Sequence, residues 1–450
     1  TLTRLLEQKR ALRLDKARVV WRDEARDRSP VTFEDVDVRL RTASGALLLE
    51  TSAPLPDPIG ERLRARLITR GNPLVHGWSG RAYATIDGGD VGGILGLAGD
   101  TDLEIDGRVD AELWASIDQG HLTRLAGTAR AEDLTVGDAR ALAPVVVSAR
   151  VLPDGDTFDA AFALGPPDAP EALAARARGR LEPVPDLETL SVRGADLDLA
   201  PMLGLAGALA KLLPTDSTDR VRALAAAAPD GFVSRIGLDF SPATGLAYEA
   251  EIARLRLTAS GSIPGLNLGG FRVSGDASSM RVIATPHTAA LAYPARLTVP
   301  LEVDIDALDV LVRLTGPDAP VLEFGALQAV AQEIPIALAG RLSLGGTEPE
   351  ADLAARVGSG PLARLPELLP RGIMSEAGDR WLRRAVVSGT IRGAEVAVRG
   401  PLASFPFRGT EGRFVARMPV GDAIIDYAPA WPRMEEIDFD LVLDDARLEA

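Results

Sequence analysis

The residues best suited to chemistry are four aspartate pairs on alternate positions: Asp35 and Asp37, Asp196 and Asp198, Asp304 and Asp306, and Asp438 and Asp440. Two carboxylates on one strand face could hold calcium or flank a glycosidic bond. Each pair, however, lies on the polar side of an alternating run, and a solvated outer face is the simpler reading. The histidines His76, His121 and His287 stand far apart, in no zinc-ligand spacing. The glycine-rich stretch from Gly88 to Gly99 lacks both the G-x-G-x-x-G pattern and a GK[ST] ending, and reads as a loop between strands. There is no G-x-S-x-G elbow and no cysteine, which removes a cysteine nucleophile, thiolate metal sites and disulfides. Nothing assembles a nucleophile, a base and an oxyanion hole. The expectation is a chain that is not an enzyme and takes no metal and no cofactor.

Composition narrows the partners. The formal net charge of -15 argues against nucleic acid, which needs a basic footprint. It also argues against docking the whole surface on an anionic membrane. Lysine occurs only at positions 9, 16 and 211, so nearly all positive charge is arginine. Arginine usage alone is no sign of phosphate recognition. Apolar residues make up 46% of the 450, enough to bury a core or line a long surface. Aromatics are only 4%, so that lining must be mainly Leu, Val, Ile and Ala. No apolar run reaches the roughly 18 residues of a membrane span.

The elements that would position these residues are strands. In Leu103 to Leu113, Leu103, Ile105, Val109, Ala111 and Leu113 take one face, and Glu104, Asp106, Arg108, Asp110 and Glu112 the other. Leu301, Val303 and Ile305 face away from Glu302, Asp304 and Asp306. The phase then slips before Leu308, Val310 and Val312, which predicts a bulge or turn. Ile437, Phe439, Leu441 and Leu443 alternate with Asp438, Asp440 and Asp444. Helices are expected over 1–10, 201–213 and 219–228, and after a Ser375 N-cap, with Trp381, Leu382 and Ala385 at helical spacing and Gly389 ending the run. Many short strands without regular helical crossovers predict antiparallel sheet. Such strands could close into dry sandwiches or lie side by side. About 25 of them side by side would make a sheet on the order of 120 Å long, which must twist and curl.

A set of motifs adds to this. In order they are Leu365-Pro366, Trp381-Leu382, Gly389, Gly400-Pro401-Leu402, Phe405-Pro406-Phe407, Gly412-x-Phe414, Tyr427-Ala428-Pro429 and Trp431-Pro432. Upstream are Trp78-x-Gly80-x-x-Tyr83, Leu199-Ala200-Pro201-Met202, and Ile263-Pro264-Gly265-Leu266 followed by Gly269-Gly270. Together they resemble the YhdP branch of the AsmA-like envelope proteins of Gram-negative bacteria. The resemblance implies a mainly β fold: an elongated, curled antiparallel sheet forming an apolar groove, taco-like, with a few short helices. It implies a bridge-like protein conducting phospholipids across the periplasm between inner and outer membranes. It also implies an inner-membrane anchor outside this stretch and an outer-membrane partner. The alternative is a structural or assembly protein of the envelope with closed β cores.

On this reading the chain divides into β segments at 1–200, 229–360 and 391–450, with helical insertions at 201–228 and 361–390. The same reading expects the chain to be an interior fragment of a longer protein. The lipid-facing lining would comprise Leu103, Ile105, Val109, Leu113, Leu301, Val303, Ile305, Phe414, Ile437, Phe439, Leu441 and Leu443. A charge at Ile305 or Leu441 should block passage with little loss of folding.

Overall fold

The computed structural model describes the chain apart from residues 1–10, 23–29, 44–45, 74–76, 99–104, 137–143, 181–185, 200–229, 260–264, 294–296, 298–299, 315–319, 345–348, 370–374, 410 and 450. The described residues form 27 strands of one antiparallel sheet, with only short helices. They divide into two compact units, and one boundary of the division falls within the strand Asp230–Ser241.

In unit 1, which ends its main run at Leu197, the strands follow one another as a meander. They are β1 (Ala11–Trp21), β2 (Val31–Ala43), β3 (Ala46–Pro54), β4 (Gly60–Arg70), β5 (Ser79–Asp90) and β6 (Ile105–Asp118). After them come β7 (His121–Val136), β8 (Val145–Asp154), β9 (Thr157–Gly165), β10 (Leu173–Arg180) and β11 (Asp186–Asp198). Each pairs with the next in sequence. The alternation seen in the sequence is what fixes this register. A slip of one residue would turn every apolar side chain to water.

Unit 2 continues from β12 (Asp230–Ser241) into β13 (Gly245–Leu257). Here the ladder forks. One end of β13 pairs with β14 (Gly265–Leu268), then β17 (His287–Ala292); the other pairs with β15 (Phe271–Asp276), then β16 (Ser279–Ala284). Both branches rejoin on the long β18 (Leu301–Leu314). The ladder runs on through β19 (Pro320–Ala331), β20 (Ile334–Ser343) and β21 (Glu350–Val357). Past the two-residue β22 (Gly360–Pro361) and β23 (Val386–Ile391), it continues in β24 (Ala394–Pro401), β25 (Arg413–Ile425), β26 (Met434–Asp444) and β27 (Arg447–Glu449). The phase slip expected in β18 is a bulge: the register shifts between Ile305 and Ala307, so Leu301–Ile305 and Leu308–Val312 present their apolar residues to the same side.

Several aspartates serve these irregularities. Asp35, Asp133, Asp196 and Asp422 have φ between +52° and +56°. Short polar side chains tolerate this left-handed region better than most. Asp35 and Asp196 are therefore backbone devices as well as wet-face residues, which accounts for part of the Asp-x-Asp pattern.

The helices partly match expectation. Ser375 caps α3 (Glu376–Ala385), its hydroxyl accepting the Gly378 N–H at 3.2 Å. Arg383 and Asp379, one turn apart, pair at 3.0 Å. The helix stops at Ala385, however, and Gly389 is a strand residue in β23 rather than a helix C-terminus. The stretch read as a glycine-rich loop contains α1 (Val91–Ala98). Asp90 starts it, accepting the Gly93 N–H at 2.6 Å. A short α2 (Leu365–Leu368) follows the 3₁₀ turn Leu362–Arg364. The helices expected over 1–10, 201–213 and 219–228 lie outside the described residues.

Candidate functional site

The antiparallel register lines up apolar residues across strands into unbroken rows. In unit 1, Leu12, Leu40, Leu49, Leu67, Ala82 and Ala115 are successive cross-strand partners. The same row continues through Leu125, Val151, Ala160, Ala177 and Leu190. Eleven strands contribute and none places a polar residue in it. At about 4.8 Å per strand the row is roughly 48 Å long. A neighbouring row runs from Leu14 and Val38 through Ala84, Leu113 and Phe162 to Val192, with Thr51 as its one hydroxyl.

Unit 2 repeats the arrangement. Ile252, Phe271, Ala284, Leu308, Leu327 and Leu338 are partners in turn. Ala355, Val396, Ala416, Leu443 and Leu448 complete that row. At the fork, Leu257, Leu266, Leu291 and Leu301 add a row of four leucines.

The middle of this face is not sealed. Leu113 and Leu125 are 40% exposed and Phe162 is 44% exposed, although each sits among apolar neighbours. In a closed sandwich such residues would be interdigitated with a second sheet about 10 Å away.

The rims are covered, by a recurring device. A glycine on the apolar face lets a side chain from a neighbouring segment lie against the sheet. At Gly89 an added Cβ would stand 2.8 Å from Ile94 Cδ1 of α1, and at Gly80 2.9 Å from the ring of Trp78. In unit 2 Leu362 lies over Gly389, and the ring of Phe407 lies over Gly400 and Gly412. Leu362 joins Ile334, Ile391, Met418, Val420 and Ala423 in a buried cluster. Phe405 stands edge-on to Phe407 and Phe414, at 5.8 and 5.0 Å. Between these covers, Leu327, Leu338, Ala355 and Val396 stay half-exposed.

The candidate lining residues separate accordingly. Val109 and Leu113 belong to unit 1, with Ile105 half-buried at the start of β6. Leu301, Val303 and Ile305 share one face of β18 in unit 2. Ile437, Phe439 and Leu441 pack on the buried cluster, while Leu443 continues the open row. Phe414 belongs to the aromatic rim, and Leu103 lies outside the described residues. Ile305 is only 8% exposed, packed with Ala284 and Ala289. A charge there would disrupt folding, contrary to the sequence expectation. The rim glycines and their covers were missed, although most of them (Trp78, Gly80, Gly389, Gly400, Phe407 and Gly412) are residues of the motifs, with Gly89, Ile94 and Leu362 outside them.

The opposite face is wet and charged. All four aspartate pairs are exposed, and among the described residues no three His, Cys, Asp or Glu side chains converge to hold a metal. Asp438 accepts the backbone N–H of Asp422 and the guanidinium of Arg392, and both depress its pKa. His121 is exposed, His76 lies outside the described residues, and His287 faces Ile305 with Nδ1 2.7 Å from the Thr285 carbonyl.

The turn after β15 gives a pH test. Asp276 accepts from the Ser278 hydroxyl and from the N–H groups of Ser278 and Ser279, which lowers its pKa from 3.8 to about 2. A depressed carboxylate stabilises the fold fully above its unfolded value, and that contribution disappears as pH falls through the folded value. Amide protection at Ser278 and Ser279 should therefore drop between about pH 4 and pH 2. Asp276→Asn should flatten that profile; an unchanged profile would remove the carboxylate as its cause.

Among the described residues, no helix is long and apolar enough to cross a membrane. No curated protein and no solved structure gives a significant match. A family model does match, that of the YhdP protein, over residues 1–450. The motifs that the structure turns into rim covers are those that carried the resemblance, and the chain belongs to the YhdP family.

Proposed function

We propose that this chain is part of a bridge-like lipid-transfer protein, and that phospholipid acyl chains move along its apolar strand face. The observation that carries the reading is the row from Leu12 to Leu190, unbroken across eleven strands with Leu125 exposed in its midst. Each methylene removed from water is worth about 0.8 kcal/mol. A lipid therefore does not leave such a face for water readily. Because one stretch of Leu, Val and Ala resembles the next, no single position traps it.

Transport of this kind involves no bond-breaking step, so the chain acts without a cofactor and not as an enzyme. It works in the periplasm, held at the inner membrane by a segment outside this stretch and delivering toward an outer-membrane partner. Nucleic acid plays no part. The closed-core alternative draws on the dry cluster around Ile391 and Val420, and would require the half-exposed rows to be sealed in the same way.

Native mass spectrometry of the chain, purified from cells without detergent, separates the two. Phospholipid adducts that persist through dilution are expected. A chain carrying no lipid, and acquiring none from vesicles, would leave only the scaffold reading.

A further inference from the structure

On the wet face of unit 1, β5 to β10 surround a cavity of about 910 Å³, within the usual size of a small-ligand site. Arg81, Arg124, Arg150 and Arg176 line it, with Trp114 at its side. All four arginines are exposed, and none makes an ion pair or hydrogen bond to another described residue. Elsewhere on this face arginines sit beside acids, as in Arg64 with Asp87, Arg66 with Glu50 and Arg178 with Asp159. Here the cross-strand neighbours are neutral, Ile68 and Ser116 beside Arg81 and only small residues beside the other three. Arg124 faces Ser116, and Arg150 faces Ala126 on one side and Ala161 on the other. Arg176 also faces Ala161. These short side chains do two things at once: they leave the guanidiniums unpaired and they form the floor of the cavity.

The placement is that of a multidentate receptor. Arg150 and Arg176 are two strands apart, roughly 10 Å, and Arg124 is a diagonal neighbour of Arg150 at about 7–8 Å. A guanidinium presents paired N–H donors that match phosphoryl oxygens. Glu171 is the acid lining the cavity, on the strand-connecting segment before β10. In a chain of net charge -15, four arginines gathered beside a single lining acid repel one another and lower the stability of the empty site.

We propose that this cavity is a binding site for a phosphate-bearing anion, distinct in chemistry from the apolar rows it adjoins, with Arg124, Arg150 and Arg176 as the phosphate ligands. The ligand's phosphates replace the acids that the neighbouring strands withhold, and the alanine floor and Trp114 receive its uncharged part. The phosphate is either that of a lipid headgroup or that of a soluble compound.

Calorimetry with myo-inositol hexakisphosphate, on the full chain at two salt concentrations, tests the site. Arg150→Gln with Arg176→Gln should weaken binding on the order of 100-fold, since each charged hydrogen bond contributes strongly. Arg272→Gln with Arg281→Gln, the same charge change in unit 2, should leave binding within about twofold if the site is local. Thermal melts of both variants check folding. Equal losses in the two variants, citrate binding as well as the hexakisphosphate, or no binding by the unaltered chain would each overturn the proposal. Vesicles containing phosphatidylglycerol identify the source. Capture lost with Arg150 and Arg176 assigns a headgroup; hexakisphosphate binding without such a loss assigns a soluble phosphate.

Discussion

Phe162→Asp is expected to strip bound phospholipid from the chain while leaving its melting temperature almost unchanged. The side chain is 44% exposed and flanked across the ladder by Ala149 and Ala175, so removing the ring opens no cavity. The lipid experiences the substitution differently. A carboxylate among leucines and alanines keeps its water, and an acyl chain passing over it must lift away from the sheet. Losing contact for about four methylenes costs roughly 3 kcal/mol, on the order of 100-fold in retention. Ser52→Asp, on the opposite face of β3, is the matched control and should retain lipid. The measurement is phospholipid per chain by mass spectrometry. If Phe162→Asp and Ser52→Asp hold equal lipid, acyl chains do not travel on this face. Ile305→Asp is no substitute, because a charge in that buried cluster would confound unfolding with lost binding.

The second large effect concerns the rim. Phe407→Ala should destabilise β24 and β25 by about 3–5 kcal/mol, the range for truncating a buried phenylalanine. Phe407 is 1% exposed, covers Gly400 and Gly412, and meets Phe405 edge-on. Truncation loses the transferred area and leaves a void that two glycines cannot fill. Native-state hydrogen exchange across Ala394–Pro401 and Arg413–Ile425 would report it, since a multi-unit chain has no single unfolding free energy. A cost below about 1 kcal/mol would mean that the ring is not what covers this rim.

Much of this was readable before any coordinates. The run from Ile105 to Leu113 alternates without ambiguity, and burial of one face forces it into a strand. The phase slip after Ile305 announced its bulge, and Ser375 announced a helix start. What could not be read is whatever depends on which strands lie side by side. Gly389 resembles a helix stop in one dimension; only its place over Ala423 and under Leu362 shows why it lacks a side chain. The Val91–Ala98 segment contains three glycines and has poor helix propensity, yet it is helical because Ile94 finds a seat on Gly89. Asp90, three residues before Gly93, was the signal that could have revealed it. Arg150 and Arg176 are 26 positions apart in the chain, and nothing in their local sequence says that they flank the same alanine.

Each strand of unit 1 takes its facing from the one before it and hands it to the one after, without reference to any distant part of the chain. Length is thus a free variable of this architecture. A duplicated hairpin would add about 10 Å of greasy track and return the polypeptide to the side it left, with every phase preserved. On the proposed lipid-transfer reading, a wider gap between two membranes would be matched by counting hairpins, with no redesign of the apolar face.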